Sequence, residues 1–225
     1  MTSLAVIIPA LNEEEVLAAT LAQVHRWPAE EVIVADGAST DDTAAVARRL
    51  GATVVKAPRG RARQMNAGAR QARADILFFL HADSLPPPDY PNRIRAALRQ
   101  PGTIAGAFSL AIASRGRRYR MLETLVRLRC RILALPYGDQ GLFLQAETFR
   151  RSGCFPDVPF LEDLIYVRHL KRRGKIAVLP DRIQTSARRW QRHGVVKTTL
   201  VNQVILLGYA CGIPPEHLGR FYRRL

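Results

Sequence analysis

A regular alternation of short apolar runs and amphipathic stretches over the first 85 residues constrains the fold more than any other feature. Leu4-Ala-Val-Ile-Ile8 is the β-branched run expected of a strand buried on both faces. Asn12 follows as an expected helix cap, Glu15 completes a capping-box pair, and Val16, Leu17, Leu21 and Val24 form a helical stripe. Val32-Ile-Val-Ala35 is a second strand, ending at Asp36-Gly37, after which Ser39 or Thr40 is placed to cap a helix that Gly51 stops. Residues 52–56, 62–72 and 76–80 then supply a strand, a helix and a fourth strand. The order β-α-β-α-β-α-β implies an α/β fold, with a mainly parallel sheet and helices on both faces.

Past Pro86-Pro-Pro88 the rhythm changes. Residues 89–100 read as a helix and 103–113 as a strand. Residues 115–135 read as a helix with Met121, Leu125, Leu128, Ile132 and Leu135 on one stripe; Arg117, Arg120, Arg127 and Arg131 lie largely elsewhere around it. Short strands at 141–145 and 176–179 flank a helix at 162–173. In parallel sheets, functional groups gather beyond the carboxyl ends of strands. Asn12-Glu13, Asp36-Gly37 and His81-Ala-Asp83 all stand just past predicted strands, so one rim carries the site.

Charge narrows the partner. The 225 residues carry a net +15, yet residues 1–50 hold eight acids against three bases, a net of −5 that leaves +20 for the remainder. Such asymmetry suits an anionic partner: a phosphorylated small molecule, a membrane surface or nucleic acid. The 48% hydrophobic content excludes a disordered chain. Cys130, Cys154 and Cys211 lack the spacing of a zinc site or disulfide framework, which favours a reducing compartment such as the cytoplasm. Met1 to Leu11 has no basic leader and reads as a strand rather than a signal peptide. The longest apolar stretch, Leu200 to Ile213, is interrupted and shorter than the roughly 20 residues that span a bilayer.

Five blocks in order resemble the family 2 glycosyltransferases: Ile7-Ile-Pro-Ala-Leu-Asn-Glu13, Ile33-Val-Ala-Asp-Gly-Ala-Ser-Thr-Asp-Asp-Thr43, Gln64-Met-Asn-Ala-Gly68, Leu80-His-Ala-Asp83 and Phe160-Leu-Glu-Asp163. The resemblance covers roughly residues 4–190. It implies a GT-A fold and transfer of a sugar from a nucleotide-sugar, a UDP-sugar first of all, to an acceptor hydroxyl. The Gln64-Met-Asn, His81-Ala-Asp and Arg-Arg-Trp segments are similar to the small bacterial branch named for arsenosugar biosynthesis. On this basis residues 1–190 form the transferase domain (1–85 the nucleotide-binding half, 86–190 the acceptor half), and 191–225 form a C-terminal helical extension.

The resemblance also carries residue roles. Asp36 would accept the N3–H of a uracil ring, with Pro9, Leu11 and Glu13 walling base and ribose. Asp83 would ligate Mg²⁺ or Mn²⁺, since a hard cation takes carboxylate and phosphate oxygens. The family's Asp-x-Asp has His81 in its first place here, which makes His81 a ribose contact, an outer partner of the metal site or a nitrogen ligand, beside Ala82. Arg61, Arg63 or Gln64 would meet the pyrophosphate where the family carries Arg at position 65. Asp163 would be the general base and Glu162 would orient the acceptor, alongside Asp139 and Gln140 of Gly138-Asp-Gln-Gly141. Ser186-Ala-Arg-Arg-Trp190 departs from the Gln-x-x-Arg-Trp of processive relatives at its first residue, which sets polymerising activity aside and leaves Arg189 and Trp190 as acceptor or pyrophosphate contacts. His193 is a further candidate ligand.

A nucleotidyltransferase would need a Gly-rich, Arg-containing turn after strand 1, and Ala10-Leu-Asn-Glu13 lacks it. The basic stretches 115–131 and 168–197 also allow a membrane- or nucleic-acid-binding module on a degenerate transferase fold. Of these, peripheral contact with an anionic membrane at the inner face is the stronger alternative, because no nucleic-acid reading module is present.

Overall fold

The computed structural model describes residues 2–223, excluding the side chains of Arg189, His193 and Arg223. In chain order the elements are β1 (Leu4–Ala10), α1 (Glu14–Val24), β2 (Glu31–Asp36), α2 (Thr43–Arg49), β3 (Thr53–Lys56), α3 (Arg61–Gln71), β4 (Ile76–Phe79), β5 (Ser84–Leu85), α4 (Tyr90–Leu98) and β6 (Thr103–Ile112). They continue with α5 (Arg117–Leu133), a 3-10 turn (Gly138–Gln140), β7 (Leu142–Gln145), α6 (Ala146–Arg151), α7 (Glu162–Lys171), β8 (Lys175–Thr185), α8 (Arg188–His193), α9 (Val195–Ala210) and α10 (Pro215–Arg223). One sheet runs β3-β2-β1-β4-β7-β6-β8-β5, parallel through β3-β2-β1-β4 and between β6 and β8. β7 is antiparallel to both neighbours, and the unanticipated β5 pairs antiparallel with an unexpectedly long β8.

Alternation along β1 explains the two-layered core. Leu4, Val6 and Ile8 enter one cluster with Leu17, Leu21, Phe78 and Tyr90; Ala5 and Ile7 enter the other with Met65, Phe79 and Phe149. Phe78 lies 5.4 Å from Tyr90 and 5.8 Å from Phe108 between ring centroids. Its neighbour Phe79 packs tilted against Phe149 and edge-to-face against Phe155 on the opposite face. Truncating either phenylalanine costs about 3–5 kcal/mol, so the strand end that delivers His81 and Asp83 is clamped from both sides. On α3, a Cβ added at Gly68 would lie 2.5 Å from the Ile7 methyl, so glycine there sets the close approach of helix to sheet.

Two expected caps resolve differently. Asn12 adopts a left-handed conformation (φ 55°) and caps nothing; its Oδ1 accepts the Thr40 N–H at 2.9 Å. Neither Ser39 nor Thr40 caps α2. Ser39 donates to Asp36, while Asp41 accepts the Thr43 N–H at 3.0 Å. A tertiary demand overrides the local one: the loops after β1 and β2 are zipped together, with Glu13 N–H on Thr43 Oγ1 (2.8 Å) and Asp42 N–H on Glu14 Oε2 (2.8 Å). The stripe on α5 also turns the other way. Tyr119, Leu122, Val126 and Cys130 face the protein, and Met121, Leu125, Leu128 and Ile132 face solvent.

Candidate active site

The carboxyl ends of β1, β4 and β8, the start of α3, the turn before β7 and the start of α7 surround one cleft of about 600 Å³. It gathers Pro9, Leu11, Glu13, Arg61, Gln64, His81, Ala82, Asp83, Asp139, Glu162, Asp163 and Trp190 from the sequence-predicted set. Asp36 and Gln140 are not among its lining residues. Asp36 is buried and holds the Ser39 hydroxyl and amide, closing the turn after β2. Gln140 is fully buried, donating to Phe108 O at 2.9 Å and accepting from Arg129 and the Tyr137 amide, so it locks α5 and the turn to β6. Gln64 reaches the cleft wall, but its amide is engaged with Ala10 O (2.6 Å) and Ala35 O (3.0 Å), tying two strand ends together. The side chains of Arg189 and His193 lie outside the described residues.

The sheet side of the cleft holds Glu13 and Asp83, both partly exposed, with a cation between them. Arg188 Nη2 lies 2.8 Å from Glu13 Oε2 and 3.4 Å from Asp83 Oδ2. The Glu13 hydrogen bond raises the arginine's pKa further, and Asp83 adds to it. Arg188 was not among the sequence candidates. Its partners lie 175 and 105 residues away in sequence, and the only local signal was its place in the Arg-Arg-Trp segment.

The opposite side holds three acids in a drier setting. Asp163 Oδ2 accepts the Gly138 N–H at 2.6 Å and Oδ1 accepts the Leu164 N–H at 2.7 Å. Leu161, in left-handed conformation (φ 65°), turns the chain into α7 so that Glu162 and Asp163 start the helix at the cleft. A backbone of this kind costs about 1–3 kcal/mol and is held by its surroundings. Glu162 is buried, 3.6 Å from Arg61; burial and the Asp163 charge raise its pKa against the pull of Arg61. Asp139 has a buried Oδ1 without a hydrogen-bond partner among the described residues. Burial lifts its pKa to about 6, opposed by Arg129 and Arg61 and reinforced by Asp163. His81 Nε2 is likewise buried without a partner, and burial beside Arg61 pushes the imidazole pKa down to about 3, so the ring is neutral. A Cβ on Gly138 would sit 3.0 Å from Asp163 Oδ2 and 3.1 Å from His81 Nε2, which places these groups against one glycine.

The outer wall is apolar: Tyr137, Phe160, Leu161, Ile205, Leu206 and Tyr222. Phe160 and Tyr222 stack at 4.4 Å, and Ile205 and Leu218 pack on Leu161 and Leu164. The C-terminal helices therefore form part of the cleft.

The Glycosyl transferase family 2 profile matches residues 5–155. The chain belongs to that family. Uncharacterized glycosyltransferases of Mycobacterium tuberculosis and Mycobacterium bovis are 46% identical over 80 residues, a stretch that spans 35% of this chain and 35% of each relative. Among solved structures, glucosyl-3-phosphoglycerate synthase from M. tuberculosis with phosphoglyceric acid superposes with a TM-score of 0.66 at 21% identity, covering 95% of this chain and 81% of that one. The same synthase with Mn²⁺ and UDP-glucose gives 0.64 at 20% identity, covering 95% and 80%. S. aureus TarS 1–349 with UDP-GlcNAc gives 0.66 at 17%, covering 82% and 58%. These superpositions establish the GT-A type fold. Among the described residues no helix is long and apolar enough to cross a membrane.

Proposed function

We propose that the cleft transfers a sugar from a nucleoside-diphosphate sugar, with UDP-sugars the first class to test, to an acceptor hydroxyl, inverting the anomeric configuration. The observation that carries this reading is the convergence of separate sequence blocks on one cleft, with a cation-holding carboxylate on one side and an amide-anchored carboxylate facing it. Pro9 and Leu11 wall the nucleoside, and Arg61 faces the diphosphate. Asp163 is the general base: two amide donors hold it aimed, and it takes the acceptor proton as the acceptor oxygen bonds to the anomeric carbon. The bond from that carbon to the diphosphate oxygen breaks in the same displacement, and the nucleoside diphosphate leaves. Glu162, Asp139 and Trp190 lie where an acceptor would be oriented.

A divalent cation fits the donor side. No group of three or more His, Cys, Asp or Glu side chains capable of holding a metal occurs among the described residues. Asp83, however, already holds a cationic group, and the donor's phosphates would complete the ligand set of Mg²⁺ or Mn²⁺. When bound, the ion would neutralise charge on the departing diphosphate. The complexes of the mycobacterial synthase with Mn²⁺ support this assignment. The His81-Ala-Asp and Arg-Arg-Trp blocks support membership of the small branch named for arsenosugar biosynthesis.

Thermal shift with UDP-sugars, with and without Mn²⁺, tests the reading. Stabilisation that requires both and disappears in Asp83→Ala is the expected result. No stabilisation of the wild-type protein by any nucleotide-sugar would overturn it.

A further inference from the structure

Two helices beside the cleft turn apolar faces to solvent. On α5, Met121, Leu125, Leu128 and Ile132 recur at helical spacing and are 62%, 52%, 51% and 68% exposed. On α9, Val196, Leu200, Val204 and Leu207 do the same at 63%, 61%, 53% and 65%. The inner faces of both helices are already used, by Leu110 and Ile112 under α5 and by Leu161 and Leu164 under α9. The outer faces are therefore additional to what the fold requires.

Charge identifies what covers them. At the 100° turn of a helix, Arg117 and Arg131 flank the α5 stripe on one side and Arg118 on the other, all exposed. The helix's single acid, Glu123, points inward and is bonded to the Ile112 amide and Arg120. α9 contains no acid. An apolar stripe bordered by arginines, whose aliphatic stems follow the apolar surface while their charges reach outward, matches a helix lying in the plane of an anionic bilayer. A second copy of this chain is a poor occupant, since it would bring two bodies of net charge +15 together along their basic faces.

We infer that α5 and α9 form a peripheral docking surface for a membrane rich in anionic lipid. This goes beyond the transferase reading, because docking requires neither donor nor chemistry. It also places the cleft beside the lipid surface. α9 lends Asn202, Ile205 and Leu206 to the cleft wall, and Arg129 of α5 lies 3.5 Å over the Tyr137 ring at its edge.

Co-sedimentation with vesicles of phosphatidylcholine, alone or mixed with phosphatidylglycerol, tests the inference on the full chain. Binding is expected only to the mixed vesicles. The double variant Leu125→Glu/Leu128→Glu and, separately, Leu200→Glu are expected to weaken binding about tenfold or more, with unchanged melting temperatures because the replaced side chains are exposed. Arg117→Ser/Arg118→Ser/Arg131→Ser should weaken binding to the mixed vesicles as well. Absence of wild-type binding overturns the inference. So does binding that the glutamates leave intact, which would be adsorption by net charge alone. A dimer in analytical ultracentrifugation that the glutamates dissolve would assign the face to self-association and equally overturn it. UDP-sugar stabilisation, read in parallel, keeps failure here distinct from failure of the transferase reading.

Discussion

The two sides of the cleft use the same residue type in opposite settings. Glu13 and Asp83 sit at strand ends, partly exposed, and share the guanidinium of Arg188. Asp139, Glu162 and Asp163 sit in a drier wall, where burial raises the first two and amide donors anchor the third. An exposed carboxylate beside a guanidinium suits cations, whereas burial favours the neutral form of Asp139 and Glu162. Under the proposed reading, the contrast gives charge handling to the sheet side and proton handling to the α7 side.

The largest expected effect breaks the proton side. Asp163→Asn should reduce transfer about 10²–10⁴-fold while leaving nucleotide-sugar affinity unchanged, measured by single-turnover assay and calorimetry on one preparation. Retained transfer would move the base to Asp139. On the cation side, Asp83→Ala should weaken Mn²⁺-dependent nucleotide binding about tenfold or more; calorimetry with UDP at varied Mn²⁺ decides. A smaller effect sharpens the geometry. Gly138→Ala presses a methyl to 3.0 Å from Asp163 Oδ2, so kcat should fall about tenfold with KM for the donor unchanged.

The smallest effect concerns stability. Asp139 is raised to about 6 in the folded protein against 3.8 as its ordinary value. The folded state thus keeps a proton that the unfolded chain loses, and stability declines as pH rises from about 4 to 6. Asp139→Asn removes that decline. Its melting-temperature gain should be near zero at pH 4 and reach several degrees above pH 6. An equal gain at both pH values would show that the carboxyl is not held in its neutral form.

Much of this was legible before folding, for identifiable reasons. β1, β2 and β4 carry unbroken apolar runs (residues 4–8, 32–35 and 76–79) separated by helical stretches, so their order and parallel sense follow from short-range pattern. Glu13 and Asp83 were legible because they come directly after such runs. Asp36 follows one too, and its carboxylate holds the Ser39 amide and hydroxyl of its own turn. Arg188 could not be found by local pattern because its partners come from distant strand ends. Periodicity revealed the α5 stripe but not its direction: that helix has a second apolar edge, and Tyr119, Leu122 and Val126 won the contact with β6.

The arginine between Glu13 and Asp83 gives the site a tethered competitor. A guanidinium fixed to the start of α8 acts at an effective concentration on the millimolar scale typical of short links, so under the proposed reading a free divalent ion would have to contend with it for Asp83. A donor bound with its metal would offer the arginine phosphate oxygens in exchange, and the contest would be relieved. Binding of metal and nucleotide should therefore be strongly cooperative in the wild-type protein. In Arg188→Ala, Mn²⁺ alone should bind more tightly and the cooperativity should shrink; calorimetry with each ligand in either order of addition reads both quantities.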